Sequence, residues 1–241
     1  ISNAGLISRA TYPKLLQGNN NKFLQDNLRH LIYFAILFSA IVITFAKPGL
    51  HVLNPEYVVV EYIVIILAVR AFFKIITKNI LMFISAKDMI DINEKSSFLD
   101  YIKSRIIRVS TIEIISSISY IVILATILLM IISGIESQLE LVLYWALIIL
   151  IIQVPTSLYS IIYFRKEFLI KIEIQSIVKY LVAAIISFGL SRILLDMVLE
   201  YDLELIKFLP QILLFIMLSI GMYIGITAII DIKTRNLNRI Y

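Results

Sequence analysis

Arg70, Lys74 and Lys78 stand at i, i+4 and i+8 inside a long apolar stretch. On a helix that spacing puts all three on one face, as a column about 12 Å long. Each cation at membrane depth costs about 2.5–3.5 kcal/mol on insertion scales. A face carrying three of them calls for water, protein, or a phosphate or other anion. The competing reading is a shorter span, Val58 to Phe73, with Lys74 and Lys78 snorkelling to the headgroups. Arg70 is the hardest to explain in that way, because it lies deepest.

Other polar groups fall inside apolar stretches. Arg108 and Glu113 open one stretch, close behind Arg105. They are candidates for an ion pair, or for proton coupling through the carboxyl, since burial favours a neutral carboxylic acid. Ser116, Ser117 and Ser119 follow, and serines in spans more often pack helices than bind ligands. Gln153, Thr156 and Ser160 share a face at i, i+3 and i+7 beside Pro155 and Tyr163, a candidate polar cavity wall on a proline-bent helix. Lys179 and Arg192 lie near span ends, where they can snorkel, and Gly221 and Gly225 form a small-xxx-small pair suited to close helix packing. Asp88, Asp91 and Glu94 have the spacing of a Mg²⁺-binding loop, but Lys87 and Lys95 flank them and no second such motif occurs, so they read as a solvated loop. The two histidines, His30 and His51, are far apart, and no phosphate loop, dinucleotide loop or nucleophile elbow is present. No cofactor and no metal is implied, and nothing points to an enzyme.

These residues need a scaffold that lives in lipid. The chain of 241 residues is 60% hydrophobic and only 16% charged, against the 45–50% apolar content usual in soluble domains. About 20 apolar residues cross a bilayer core as helix. Six stretches qualify: 28–46, 61–85, 108–132, 141–164, 176–195 and 207–230. They are too long and continuous for the alternating strands of a β-barrel. Ile1 to Tyr12 read as the end of a preceding helix, stopped by Pro13, so the chain is expected to be the C-terminal portion of a longer protein. The fold class is thus all-α, a polytopic transmembrane bundle over 1–241 with membrane lipid as its main partner. The formal charge of +5 forms no basic stripe suited to nucleic acid.

The connecting segments give the orientation. Segments 13–30, 87–108, 165–175 and 231–241 hold 14 Lys and Arg, while 47–61, 133–140 and 196–208 hold 2. Acidic residues divide evenly, so the positive-inside rule applies to the basic ones alone. It places the first set, and the C-terminus, in the cytoplasm of a multi-pass cell-membrane protein.

Short motifs add a family likeness. Ala10-Thr11-Tyr12-Pro13-Lys14-Leu15 closes the first helix, a polar and then amphipathic run from Gly18 to Arg29 follows, and a span runs to Ala46. Val52-Leu53-Asn54-Pro55-Glu56-Tyr57 precedes a long helix ending in Ile84-Ser85-Ala86-Lys87, and Tyr223 to Arg239, with Ile230-Asp231 and Lys233, closes the chain. In hydropathy and in these motifs the chain resembles the C-terminal half of polysaccharide (oligosaccharidyl-lipid) flippases of the MOP superfamily. Asn54-Pro55-Glu56-Tyr57 departs from that family's Gly-x-x-Tyr/Phe, and glycine is sparse.

The resemblance implies one lobe of a MATE/MOP-like transporter with two bundles, whose partner is the missing N-terminal bundle. It further implies a lipid-pyrophosphate-linked oligosaccharide as substrate, flipped to the outer leaflet by alternating access. Arg70, Lys74 and Lys78 would then hold the pyrophosphate. A related exporter of drugs or small molecules is the alternative, with a less basic cavity. A membrane enzyme of polysaccharide assembly is a third, and would need acidic or histidine-bearing loops. The orientation is directly testable, because this chain has no cysteine. Introduced singly in the full-length protein with every cysteine outside this chain replaced by Ser, Ser137→Cys should react with a membrane-impermeant thiol reagent on intact cells and Ser97→Cys should not. The reverse pattern would invert the topology.

Overall fold

The computed structural model describes residues 21–86, 97, 101–102, 104–131, 137–168, 173–199 and 205–231. Among them every regular element is helical: α1 Asn21–Thr44, α2 Ala46–Leu53, a 3₁₀ helix Pro55–Val60, α3 Glu61–Ala86, α4 Arg105–Ile131, α5 Gln138–Phe168, α6 Ile174–Val198 and α7 Leu205–Ile230. Among the described residues five stretches are long and apolar enough to cross a membrane: Leu24–Thr44, Arg105–Met130, Gln138–Phe168, Ile174–Val198 and Phe208–Ile230. The sixth expected span, α3, has 26 residues, about 39 Å of helix. It has the length but not the composition, because Arg70, Lys74 and Lys78 interrupt its apolar run. The expected helix end at Ile1 to Tyr12 and the Asp88–Glu94 loop lie outside the described residues.

Local chemistry sets the boundaries. The amphipathic run ending at Arg29 and the span expected from Leu28 are one continuous helix, α1, with Leu24, Leu28, Leu31 and Ala35 buried along one stripe. Pro48 sits in the first turn of α2, where its missing N–H leaves no intrahelical bond unmade. Asn54 then turns extended, as a residue before proline prefers. Its side chain accepts the Glu56 backbone N–H at 3.0 Å and starts the 3₁₀ helix.

The fold gathers into two compact units. One holds α1 up to Leu31, α3 from Val69, α4 and α5; the other holds α1 from Ile32, α2, the 3₁₀ helix, α3 up to Ala68, α6 and α7. In the second unit α6 presents a buried stripe, Tyr180, Ala184, Ser187, Ser191 and Leu195, at helical spacing. Small residues there let α7 approach closely, and the Ser219 hydroxyl donates to Ser191 Oγ at 2.7 Å. Tyr33 packs edge-on against Tyr180 and lies beside Tyr223, each pair with ring centroids 5.1 Å apart. The Tyr223 hydroxyl donates to the Tyr33 carbonyl at 3.2 Å.

One detail corrects the sequence expectations and two add to them. Gly221 and Gly225 do not make the α6–α7 contact: a Cβ on either would meet nothing within 4 Å. They lie two residues from the buried Ser219 and Tyr223, and so about 200° around the helix. Arg192, near the end of its helix, is held by partners within the fold. It donates to Glu61 Oε1 at 2.8 Å and to the Thr44 carbonyl at 3.0 Å, and pairs with Asp196 at 3.4 Å. Lys179 lies 4.0 Å from Asp231, which also accepts the Tyr180 hydroxyl at 2.9 Å.

Charged hydrogen bonds of this kind each contribute about 1.5–3 kcal/mol. Arg192→Ala should lower the stability of the detergent-solubilised protein by about that amount, with Arg192→Lys recovering part of it. Thermal denaturation reads the effect, and an unchanged midpoint would show that the cluster carries no stability.

Candidate functional site

The first unit holds the polar chemistry picked out by spacing. α4 and α5 pack as an antiparallel pair. From one end to the other Arg105 meets Glu167 at 2.6 Å, the Arg108 guanidinium donates to the Tyr163 hydroxyl at 3.4 Å, the Thr156 hydroxyl donates to Ser116 Oγ at 3.3 Å, and Trp145 Nε1 donates to the Tyr120 hydroxyl at 2.8 Å. The C-terminal part of α3 is fixed to α5 at Ser157. That buried side chain lies 2.6 Å from the Thr77 hydroxyl and bonds the Phe73 carbonyl at 3.1 Å. Gln153 Nε2 donates to Thr77 Oγ1 at 3.3 Å.

These contacts leave a cleft of about 590 Å³. Its wall consists of three stripes, each at helical spacing. α3 supplies Arg70, Lys74, Thr77, Lys78 and Leu81; α4 supplies Glu113, Ser116, Ser117, Tyr120 and Ile121; α5 supplies Ile149, Ile152, Gln153 and Thr156. Three cations face one carboxylate, a formal excess of two positive charges. No ion pair joins Arg70, Lys74, Lys78 or Glu113 to any other group among the described residues. Lys74, Lys78 and Glu113 are exposed to the cleft, Arg70 is half-buried, and Arg70 Nε is buried without a hydrogen-bond partner. The hydroxyls and amide opposite can accept or donate as a ligand requires. Chemically the cleft suits an anion with several oxygens.

The structure therefore brings Arg70, Lys74, Lys78, Glu113, Gln153 and Thr156 to one wall. It separates others that spacing had joined. Arg108 and Glu113 do not pair, because five residues turn a helix by about 140° past a full turn; Arg108 goes to Tyr163 and Glu113 to the cleft. Ser160 is not on the polar wall. It is fully buried, its hydroxyl donates to the Thr156 carbonyl at 2.8 Å, and α3 closes against α5 one turn further on through Phe83 and Phe164. Sequence reasoning missed Thr77 and Tyr120. The signal was present, since each lies seven residues after a chosen residue, Arg70 and Glu113, and so on the same face.

A second recess lies on the α4–α5 pair. It is an apolar groove of about 780 Å³, with Arg108 and Tyr163 among its lining residues. The groove and the cleft share Ser116, Ile152 and Thr156, so the Thr156–Ser116 hydrogen bond forms part of the partition between them. Comparisons with protein-family models, characterised proteins and solved structures give no significant match.

Proposed function

We propose that this chain is one lobe of a membrane transporter that moves a lipid-pyrophosphate-linked oligosaccharide from the cytoplasmic to the outer leaflet by alternating access. The supporting observation is a cationic column without ion-pair partners among the described residues: Arg70, Lys74 and Lys78 face a single carboxylate across a 590 Å³ cleft. With Glu61 near the outer boundary, Arg70 lies nine residues, about 14 Å, into the membrane. That is close to the middle of a core roughly 30 Å thick. A diphosphate crossing the bilayer needs charge partners at that depth, and a guanidinium with two ammonium groups supplies them. Family-like motifs from Ala10 to Arg239 point the same way. On this reading the cleft is completed by a second bundle from the N-terminal part of the protein, the C-terminus is cytoplasmic, and the membrane is the cell membrane. An exporter of organic cations would want an acidic or apolar wall, which the net positive cleft does not offer.

The full-length protein provides the test. Arg70→Ala combined with Lys74→Ala should reduce export of surface glycan on the order of tenfold or more, the effect of losing at least one charged hydrogen bond to phosphate, while membrane insertion stays normal. Arg70→Lys with Lys74→Arg should retain more activity than the alanine pair. Full export by the alanine pair would overturn the assignment.

A further inference from the structure

The apolar groove on α4 and α5 has a chemistry of its own. At one end Arg108 is exposed, and its hydrogen bond is the long one, 3.4 Å, to the Tyr163 hydroxyl. One turn earlier Arg105 is matched by Glu167 at 2.6 Å. Among the described residues no carboxylate lies within ion-pair distance of Arg108. The Tyr159 and Tyr163 rings lie nearly parallel, 4° apart in plane with centroids 6.5 Å apart, and make an aromatic flank beside it. Beyond them the groove is walled by isoleucines, including Ile112, Ile115, Ile123 and Ile151.

From Arg108 to Ile123 α4 rises about 22 Å, more than half of a bilayer core roughly 30 Å thick. A cation that opens onto a long apolar slot is complementary to a phosphate that carries a hydrocarbon chain. A free phosphate would leave the slot empty, and an apolar helix from another protein would bring no charge to meet Arg108, whose nearest acid, Glu167, is paired with Arg105. We propose that this groove is a binding site for an anionic phospholipid of the bilayer. Its phosphate lies on the Arg108 guanidinium and the Tyr163 hydroxyl, and one acyl chain lies along Ile112, Ile115 and Ile123. The guanidinium fork suits phosphate oxygens, and the first turn of α4, where Arg108 sits, favours negative charge. The site is independent of the transport reading, since it shares no cation with the cleft.

Native mass spectrometry of the purified full-length protein tests it, with phosphatidylglycerol or phosphatidylcholine added in detergent. The wild type should retain phosphatidylglycerol at least fivefold better than phosphatidylcholine. Arg108→Ala should abolish that preference. Ile115→Trp, which fills the slot and leaves the arginine in place, should lower retention of phosphatidylglycerol several-fold. Equal retention of the two lipids by the wild type would overturn the site. So would undiminished phosphatidylglycerol retention in Arg108→Ala or in Ile115→Trp. A dimer mass that Arg108→Ala removes, with no lipid retained by either form, would show a protein interface in its place and equally overturn it.

Discussion

Repulsion among three like charges on one apolar helix is the constraint on which the rest of the site depends. Neighbouring cations at i and i+4 disfavour a helix by about 0.2–0.5 kcal/mol per pair, and the cost rises steeply where water is scarce. Among its described residues the first unit gives Arg70, Lys74 and Lys78 no ion-paired carboxylate. It answers them with space, the hydroxyl-bearing faces of α4 and α5, and one acid, Glu113. A face so arranged is stable only with polar company, either water or an anion.

The same chain shows how charge is handled where it serves the scaffold. Arg192 is matched by Glu61, Asp196 and a backbone carbonyl, Lys179 by Asp231, and Arg105 by Glu167. Ser157, Ser160, Ser187 and Ser191 spend their hydroxyls on carbonyls of their own helices or on neighbouring hydroxyls while fully buried. Against this background the open charges at Arg70, Lys74, Lys78 and Arg108 stand apart. Polar groups between helices spend their hydrogen bonds within the fold, the hydroxyls that line the cleft among them, while these four cations have no ion-pair partner among the described residues.

Much of this was legible in the sequence because helices have a fixed period. The all-helical architecture follows from long apolar runs, and the α3 stripe follows from i, i+4 and i+8 spacing. What was not legible depends on how helices meet. Ser160 shares a face with Gln153 and Thr156, yet it is buried because Phe83 and Phe164 close α3 onto α5 at that level. The partner of Arg192 is Glu61, 131 positions away. Gly221 and Gly225 promised a helix contact, but α7 turned Ser219 and Tyr223 inward instead. Periodicity identifies a face; it does not say which neighbour the face will meet.

The central claim is that the α3 column holds a diphosphate at membrane depth. Binding of an isoprenoid pyrophosphate to the purified full-length protein, compared with the matching isoprenoid monophosphate, tests it most directly. The wild type should hold the pyrophosphate at least tenfold more tightly, and replacing Arg70, Lys74 and Lys78 together by Gln should remove the difference. Equal affinity for the two lipids, or pyrophosphate binding that survives the triple replacement, would contradict the account.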